Sequence, residues 1–171
     1  MKRLFLLVFV SVGMLAGCSG APRPDGFPKL YPVTLTIQQD GQPLAGAMVM
    51  LIPSSPQQWG VGGTTDAQGK VNIRTHGQHD GAPEGNYAVV ITKRESVSPV
   101  PIEIRNGTIQ QQEEWNRKNP TARVAIFNLI EAEFQSAETT PLKINVERKT
   151  VHQTLDAGKA VRIPVVTRGF M

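Results

Sequence analysis

Val33-Thr34-Leu35-Thr36-Ile37-Gln38 alternates aliphatic and polar side chains without a break, and after Gln39 the pair Asp40-Gly41 stops it. Side chains of an extended chain point alternately to opposite faces, so Val33, Leu35 and Ile37 share one face and Thr34, Thr36 and Gln38 the other. Such a segment is a strand buried on one side, and Asp-Gly accepts the positive φ of a tight turn. The signature returns downstream. Ala47 to Ile52 is an apolar, β-prone run ended by Pro53, and Lys70 to Thr75 carries Val71 and Ile73. Asn86 to Lys93 sends Tyr87, Val89 and Ile91 to one side, and Leu142, Ile144 and Val146 alternate again. Val151–Leu155, Asp156-Ala157-Gly158 and Ala160–Val166 read as a closing hairpin. Short strands separated by Gly, Pro, Asp and Ser turns predict an all-β sandwich or barrel.

The middle of the chain follows another rule. Pro99 and Pro101 confine Ser96 to Ile104 to an edge strand, because proline cannot donate to a sheet ladder. Asn106-Gly107 supplies a turn, and Thr108 with Gln111 forms a capping-box pattern ahead of the Gln- and Glu-rich run Ile109 to Lys118, which predicts one helix ending before Pro120. Arg123 to Phe134 has both strand and helix character. Residues from about 95 to 134 are therefore expected as an insertion with a short helix.

The N-terminus opens with Lys2 and Arg3, continues apolar from Leu4 to Ala16 and reaches the single cysteine at Leu15-Ala16-Gly17-Cys18. A basic start, a short apolar core and small residues before a cleavage point describe a secretory signal, and the run is too short to span a bilayer comfortably. Removing residues 1–17 takes away Lys2 and Arg3 and lowers the net charge from +4 to +2. Without a Lys/Arg cluster, that charge predicts no nucleic-acid partner. A chain of this size is one domain with one core, and with no second cysteine its stability rests on apolar burial. Gly20, Pro22, Pro24, Gly26 and Pro28 suit an extended tether. The expected division is a leader over 1–17, a flexible tether over 18–30 and one domain over 31–171.

Leu15-Ala16-Gly17-Cys18 resembles the lipobox of bacterial lipoproteins. The resemblance implies that Cys18 carries diacylglycerol on sulfur, becomes the N-terminus after cleavage and is then N-acylated, palmitate being a typical chain. Three further pieces, Asp40-Gly41-Gln42-Pro43-Leu44-Ala45-Gly46-Ala47, Thr65-Asp66-Ala67-Gln68-Gly69-Lys70-Val71 and Gly85-Asn86-Tyr87-Ala88-Val89, resemble the carboxypeptidase regulatory-like, transthyretin-like (prealbumin-like) module. That likeness implies an immunoglobulin-like β-sandwich over Tyr31 to Lys93, closed by Leu142 to Val166, with no established catalytic role. The whole chain, including Ser136-Ala137-Glu138-Thr139-Thr140-Pro141-Leu142, is similar to small lipoproteins with this module in planctomycete-like bacteria. The resemblance implies a protein of the cell envelope, attached to the membrane by its lipid, with an envelope protein or polysaccharide as partner. Ser19 stands where an Asp would signal inner-membrane retention in many Gram-negative bacteria, which by analogy favours the outer membrane.

Several residues carry chemistry by type. His76, His79 and Asp80 could offer zinc two imidazoles and a carboxylate, but they lie in a Gly-rich loop where polar residues are the default, and His152 is far along the chain. No metal or cofactor is expected. Glu113/Glu114 and Glu131/Glu133 read as solvated carboxylates rather than an acid and base pair. Serines lack the Gly-x-Ser-x-Gly elbow, and Gly62-Gly63 lacks the lysine and helix start of a phosphate loop. Thr167-Arg168-Gly169 is similar to part of the C-terminal Tyr-Arg-Gly-Ser of the transthyretin-like 5-hydroxyisourate hydrolases, whose N-terminal histidine motif is missing here. Asn106-Gly107-Thr108 has the letters of a glycosylation acceptor within a turn. Trp59 and Trp115 could stack on sugars or plug a core. These residues predict a non-enzymatic binding or structural module. Its rival, a carbohydrate- or protein-binding adhesin, needs an exposed aromatic or apolar patch on a sandwich face or in the 95–134 insertion.

Overall fold

The computed structural model describes residues 22–55 and 59–165, so Cys18, Ser19 and the Thr167-Arg168-Gly169 stretch lie outside the described residues. Packing starts at Phe27, ahead of the boundary expected at Tyr31, where a turn closes with Phe27 N–H donating to Pro24 O at 3.1 Å. A two-residue strand, β1 (Leu30–Tyr31), follows, and then β2 (Val33–Gln39), whose odd-numbered residues are all buried. Asp40 and Gly41 both take positive φ, 50° and 71°, which turns the chain into β3 (Gln42–Pro43). β4 (Met48–Pro53) and β5 (Val61–Thr64) form the next antiparallel pair.

The run from Lys70 to Thr75 is two strands rather than the one expected. β6 (Lys70–Asn72) pairs with β2, and β7 (Arg74–Thr75) pairs with β5. Ile73 between them is 1% exposed. Here the chain passes from one sheet to the other, a corner that its unbroken β pattern could not disclose. β8 (His79–Asp80) extends the β7 edge, and β9 (Ala82–Pro83) pairs with β1. β10 (Gly85–Thr92) lies between β4 and β13 (Lys143–Val146).

The segment between β10 and β13 holds β11 (Arg94–Val97), α1 (Ile102–Arg105), α2 (Ile109–Lys118), β12 (Ala125–Asn128) and a 3₁₀ turn at Ala132–Gln135. The expected helix is present with its capping box, in which Gln111 N–H donates to Thr108 Oγ1 and Gln111 Oε1 accepts from Thr108 N–H. The edge strand expected over Ser96–Ile104 ends at Val97. Pro101 stands just before α1, where the missing N–H costs nothing because the first turn of a helix leaves it unpaired.

The closing hairpin does not form. β14 (Val151–Asp156) runs parallel to β2, with Val151 opposite Val33 and Asp156 opposite Gln38, while β15 (Ile163–Pro164) pairs with β12. Alternation identifies a strand but not its partner. Here the turn is claimed by the insertion: Ala157 is fully buried, and a side chain on Gly158 would run into Phe134 and Glu131.

Two sheets, ordered β13-β10-β4-β5-β7-β8 and β14-β2-β3 with β6 also on β2, face each other as a β-sandwich, and a small third sheet is ordered β11-β12-β15. One core joins their inner faces: Leu35, Ile37 and Val71 from one side meet Val49, Leu51, Tyr87, Val89 and Ile91 from the other. Gln39 is the polar exception. Its amide donates to Leu129 O at 2.9 Å and Lys159 O at 3.0 Å, tying both the base of the insertion and the segment before β15 to β2.

The turn before β6 depends on a single glycine. Asp66 Oδ1 accepts from Gln68 N–H and Lys70 N–H, and Gly69 follows at φ +72°, where a Cβ would sit 2.5 Å from Ile37 O and 3.0 Å from Leu44 N. Gly69→Ala adds a left-handed residue and a backbone collision, so a loss of about 2–3 kcal/mol is expected in urea unfolding. Ala67→Ser in the same turn should be neutral.

Candidate binding surface

The apolar run of β4 faces two ways. Val49 and Leu51 point into the core, whereas Met48, Met50 and Ile52 remain 52%, 37% and 37% exposed. Pairing places Met50 beside Val90, Ile52 beside Ala88 and Met48 beside Thr92 of β10. Val90 and Ala88 are buried, so the exposed apolar patch consists of the three β4 side chains themselves. Beyond β4 the surface sinks. Gly62 of β5, paired with Met50, brings no side chain to this face, and a groove of about 380 Å³ lies there, bounded by Met48, Met50, Thr64, Arg74 and His76. Gly62 is fixed in this role, since a Cβ would meet the backbone of Val49.

An aromatic cluster closes one end of this groove. Trp59 stacks edge-on against His76 (5.5 Å between centroids) and Phe27 (5.1 Å), and Phe27 lies 4.6 Å from the His79 ring. Phe27 thereby pins the incoming chain beside the β7–β8 edge. The insertion leaves from the opposite end of the sandwich, where Leu129 N–H donates to Lys93 O and Gly46 N–H to Thr65 O. Val97, Ile102, Ile109 and Val124 of the insertion are individually exposed.

The titratable candidates are each held by different neighbours. His79 is buried against Phe27, His76 stacks on Trp59, and Asp80 accepts from Arg74 Nε at 2.9 Å, so the three are not aimed at one point. His152 lies on β14, and no cluster of three or more potential metal ligands occurs among the described residues. Glu113 and Glu114 sit exposed on α2, where Lys118, 2.6 Å from Glu114, holds that carboxyl below its ordinary range. Glu131 Oε2 accepts from Lys159 N–H at 3.2 Å, and Glu133 O accepts from Thr139 Oγ1 at 2.7 Å. Trp115 is half-buried on α2, and Asn106-Gly107 closes α1 and leads into α2.

Sequence reasoning missed Met48, Met50 and Ile52 as surface residues. The signal was available: an apolar strand with no polar alternation has two apolar faces, and a sandwich core covers one of them.

No helix among the described residues is long and apolar enough to cross a membrane. No protein-family model matches the chain, and no curated protein matches it. Among solved structures it is similar to the crystal structure of the major pilin subunit of Bacillus cereus, with 15% identity and a TM-score of 0.41 over 78% of this chain and 31% of that one. The chain thus spans about a third of the length of that pilin.

Proposed function

We propose that the chain is a lipid-anchored, non-catalytic module of the cell envelope, held by acylated Cys18 in the outer membrane and binding an envelope protein through the outer face of β4. The observation that carries the binding role is the apolar face of Met48, Met50 and Ile52 bordering a groove floored by Gly62. Isolated apolar side chains on a surface are ordinary; a contiguous patch with a groove beside it is a recognition feature. Its apolar lining suits side chains of a protein better than the hydroxyls of a polysaccharide. A passive role is further supported by the histidines and carboxylates, whose partners are structural.

The anchor reading rests on Leu15-Ala16-Gly17-Cys18. Phe27 then enters the body at the end opposite to the insertion, so a membrane-held sandwich would present residues 94–128 outward.

Chemical crosslinking in the native envelope followed by pull-down tests the binding role. The wild-type chain is expected to bring down a defined partner, and Met50→Asp should reduce its recovery about tenfold, since one charge in an apolar contact costs more than 1.4 kcal/mol. Equal recovery by a folded Met50→Asp protein would remove the β4 face from the account.

A further inference from the structure

We propose that β14 is a self-association edge, and that two copies of the chain join by antiparallel β14–β14 pairing about a twofold axis at Thr154. The inference is independent of the lipid anchor and of the β4 face.

β14 ends the smaller sheet, with β2 on one side and no strand on the other among the described residues. Its ladder to β2 fixes which backbone groups are free. Val151 N–H donates to Pro32 O at 2.9 Å and Ala157 N–H to Gln38 O at 2.8 Å, so the odd-numbered residues of this parallel ladder turn their backbone toward β2. His152, Thr154 and Asp156 consequently turn theirs outward, and no hydrogen bond within the described residues meets them.

An open edge invites another strand unless something blunts it, usually a short length, proline, lysine or a cover. The larger sheet shows such protection. β8 has only two residues, with Phe27 packed on His79, and β13 has four, opening with Lys143. β14 has six residues, Val-His-Gln-Thr-Leu-Asp, with neither proline nor lysine.

The outward groups select one antiparallel register. Residues facing each other in such a hydrogen-bonded pair must both present outward N–H and C=O groups. Placing Thr154 opposite Thr154 engages all three outward residues of each copy, and it sets His152 opposite Asp156 of the second copy, twice by symmetry. Shifting by two residues loses at least one of these pairs. Side chains directly opposite share a face, so each exposed imidazole then meets a carboxylate. Backbone pairing and the match of an imidazole donor to a carboxylate acceptor choose the same register, which is why a second copy is the occupant. The twofold also extends the polar outer face of Thr34, Thr36, Lys70 and Thr154 into the neighbouring copy.

Sedimentation of the full chain, solubilised in detergent at micromolar concentration, is expected to give the mass of two copies. His152→Asp should weaken the association about tenfold, because it places like charges opposite each other at two symmetric positions. The exchange His152→Asp with Asp156→His should restore it. With a short thiol-specific bifunctional crosslinker Thr154→Cys should form a covalently linked pair, since the two Cβ atoms of a directly opposite pair lie about 5.5 Å apart, whereas His152→Cys, four residues out of register with its own copy, should not. Wild-type protein run alongside accounts for any crosslink through Cys18, and circular dichroism confirms that each variant is folded. A single-copy mass throughout the micromolar range, a two-copy mass that His152→Asp leaves unchanged, or equal crosslinking of the two cysteine variants would overturn the proposal.

Discussion

Replacing Tyr87 with alanine is expected to destabilise the domain by about 4 kcal/mol, the cost of emptying a large aromatic site that cannot collapse. Tyr87 is 1% exposed on β10, with Pro53 of β4 on one side in the ladder and Ile144 of β13 on the other. Its hydroxyl donates to Pro83 O at 2.8 Å, which ties the entry of β10 to the short strand preceding it. Tyr87→Phe keeps the ring and removes that bond, so it should cost only about 1–2 kcal/mol. In urea unfolding the alanine variant should show a much lower midpoint with an unchanged slope, and its Tm should fall by about 10 °C or more. If the two variants lost the same small amount, the ring would not be the keystone of this sheet.

Metabolic labelling with a palmitate analogue is expected to mark the wild-type chain and to fall to background in Cys18→Ala, which should also keep its leader. Each buried methylene contributes about 0.8 kcal/mol, so one acyl chain holds reversibly and two or three on one residue hold almost permanently. The effect is therefore close to all or none. The same labelling decides whether Phe27 receives a chain anchored at Cys18, since an unlabelled wild-type protein would leave the β-sandwich intact but without its proposed attachment.

Where a residue's environment is set by its immediate neighbours in the chain, the sequence reads well. Asp40-Gly41 makes the turn it predicts because both residues take positive φ, and Thr108 with Gln111 caps the helix it announces. The unassigned stretch from Arg123 to Phe134 turns out to be strand, then 3₁₀ turn, with Phe134 only 5% exposed. No local pattern could decide that, because Phe134 is buried in the shared core and lies against Gly158, more than twenty residues away. The groove beside β4 was illegible for the opposite reason: it is made by what Gly62 lacks, and becomes a feature only when methionines of another strand stand beside it.

By itself the amino-acid order determined an all-β body, the turns that punctuate it, one capped helix and the inward set led by Leu35, Ile37, Val89 and Ile91, since alternation and turn chemistry act over a few residues. Tertiary structure alone decided who pairs with whom. It split Lys70–Thr75 between two sheets, laid β14 parallel to β2 and sent β15 to the insertion. The reason is physical: strand pairing satisfies backbone groups that every residue carries alike, so the choice of partner rests on burial summed over the whole sandwich rather than on any one stretch of side chains.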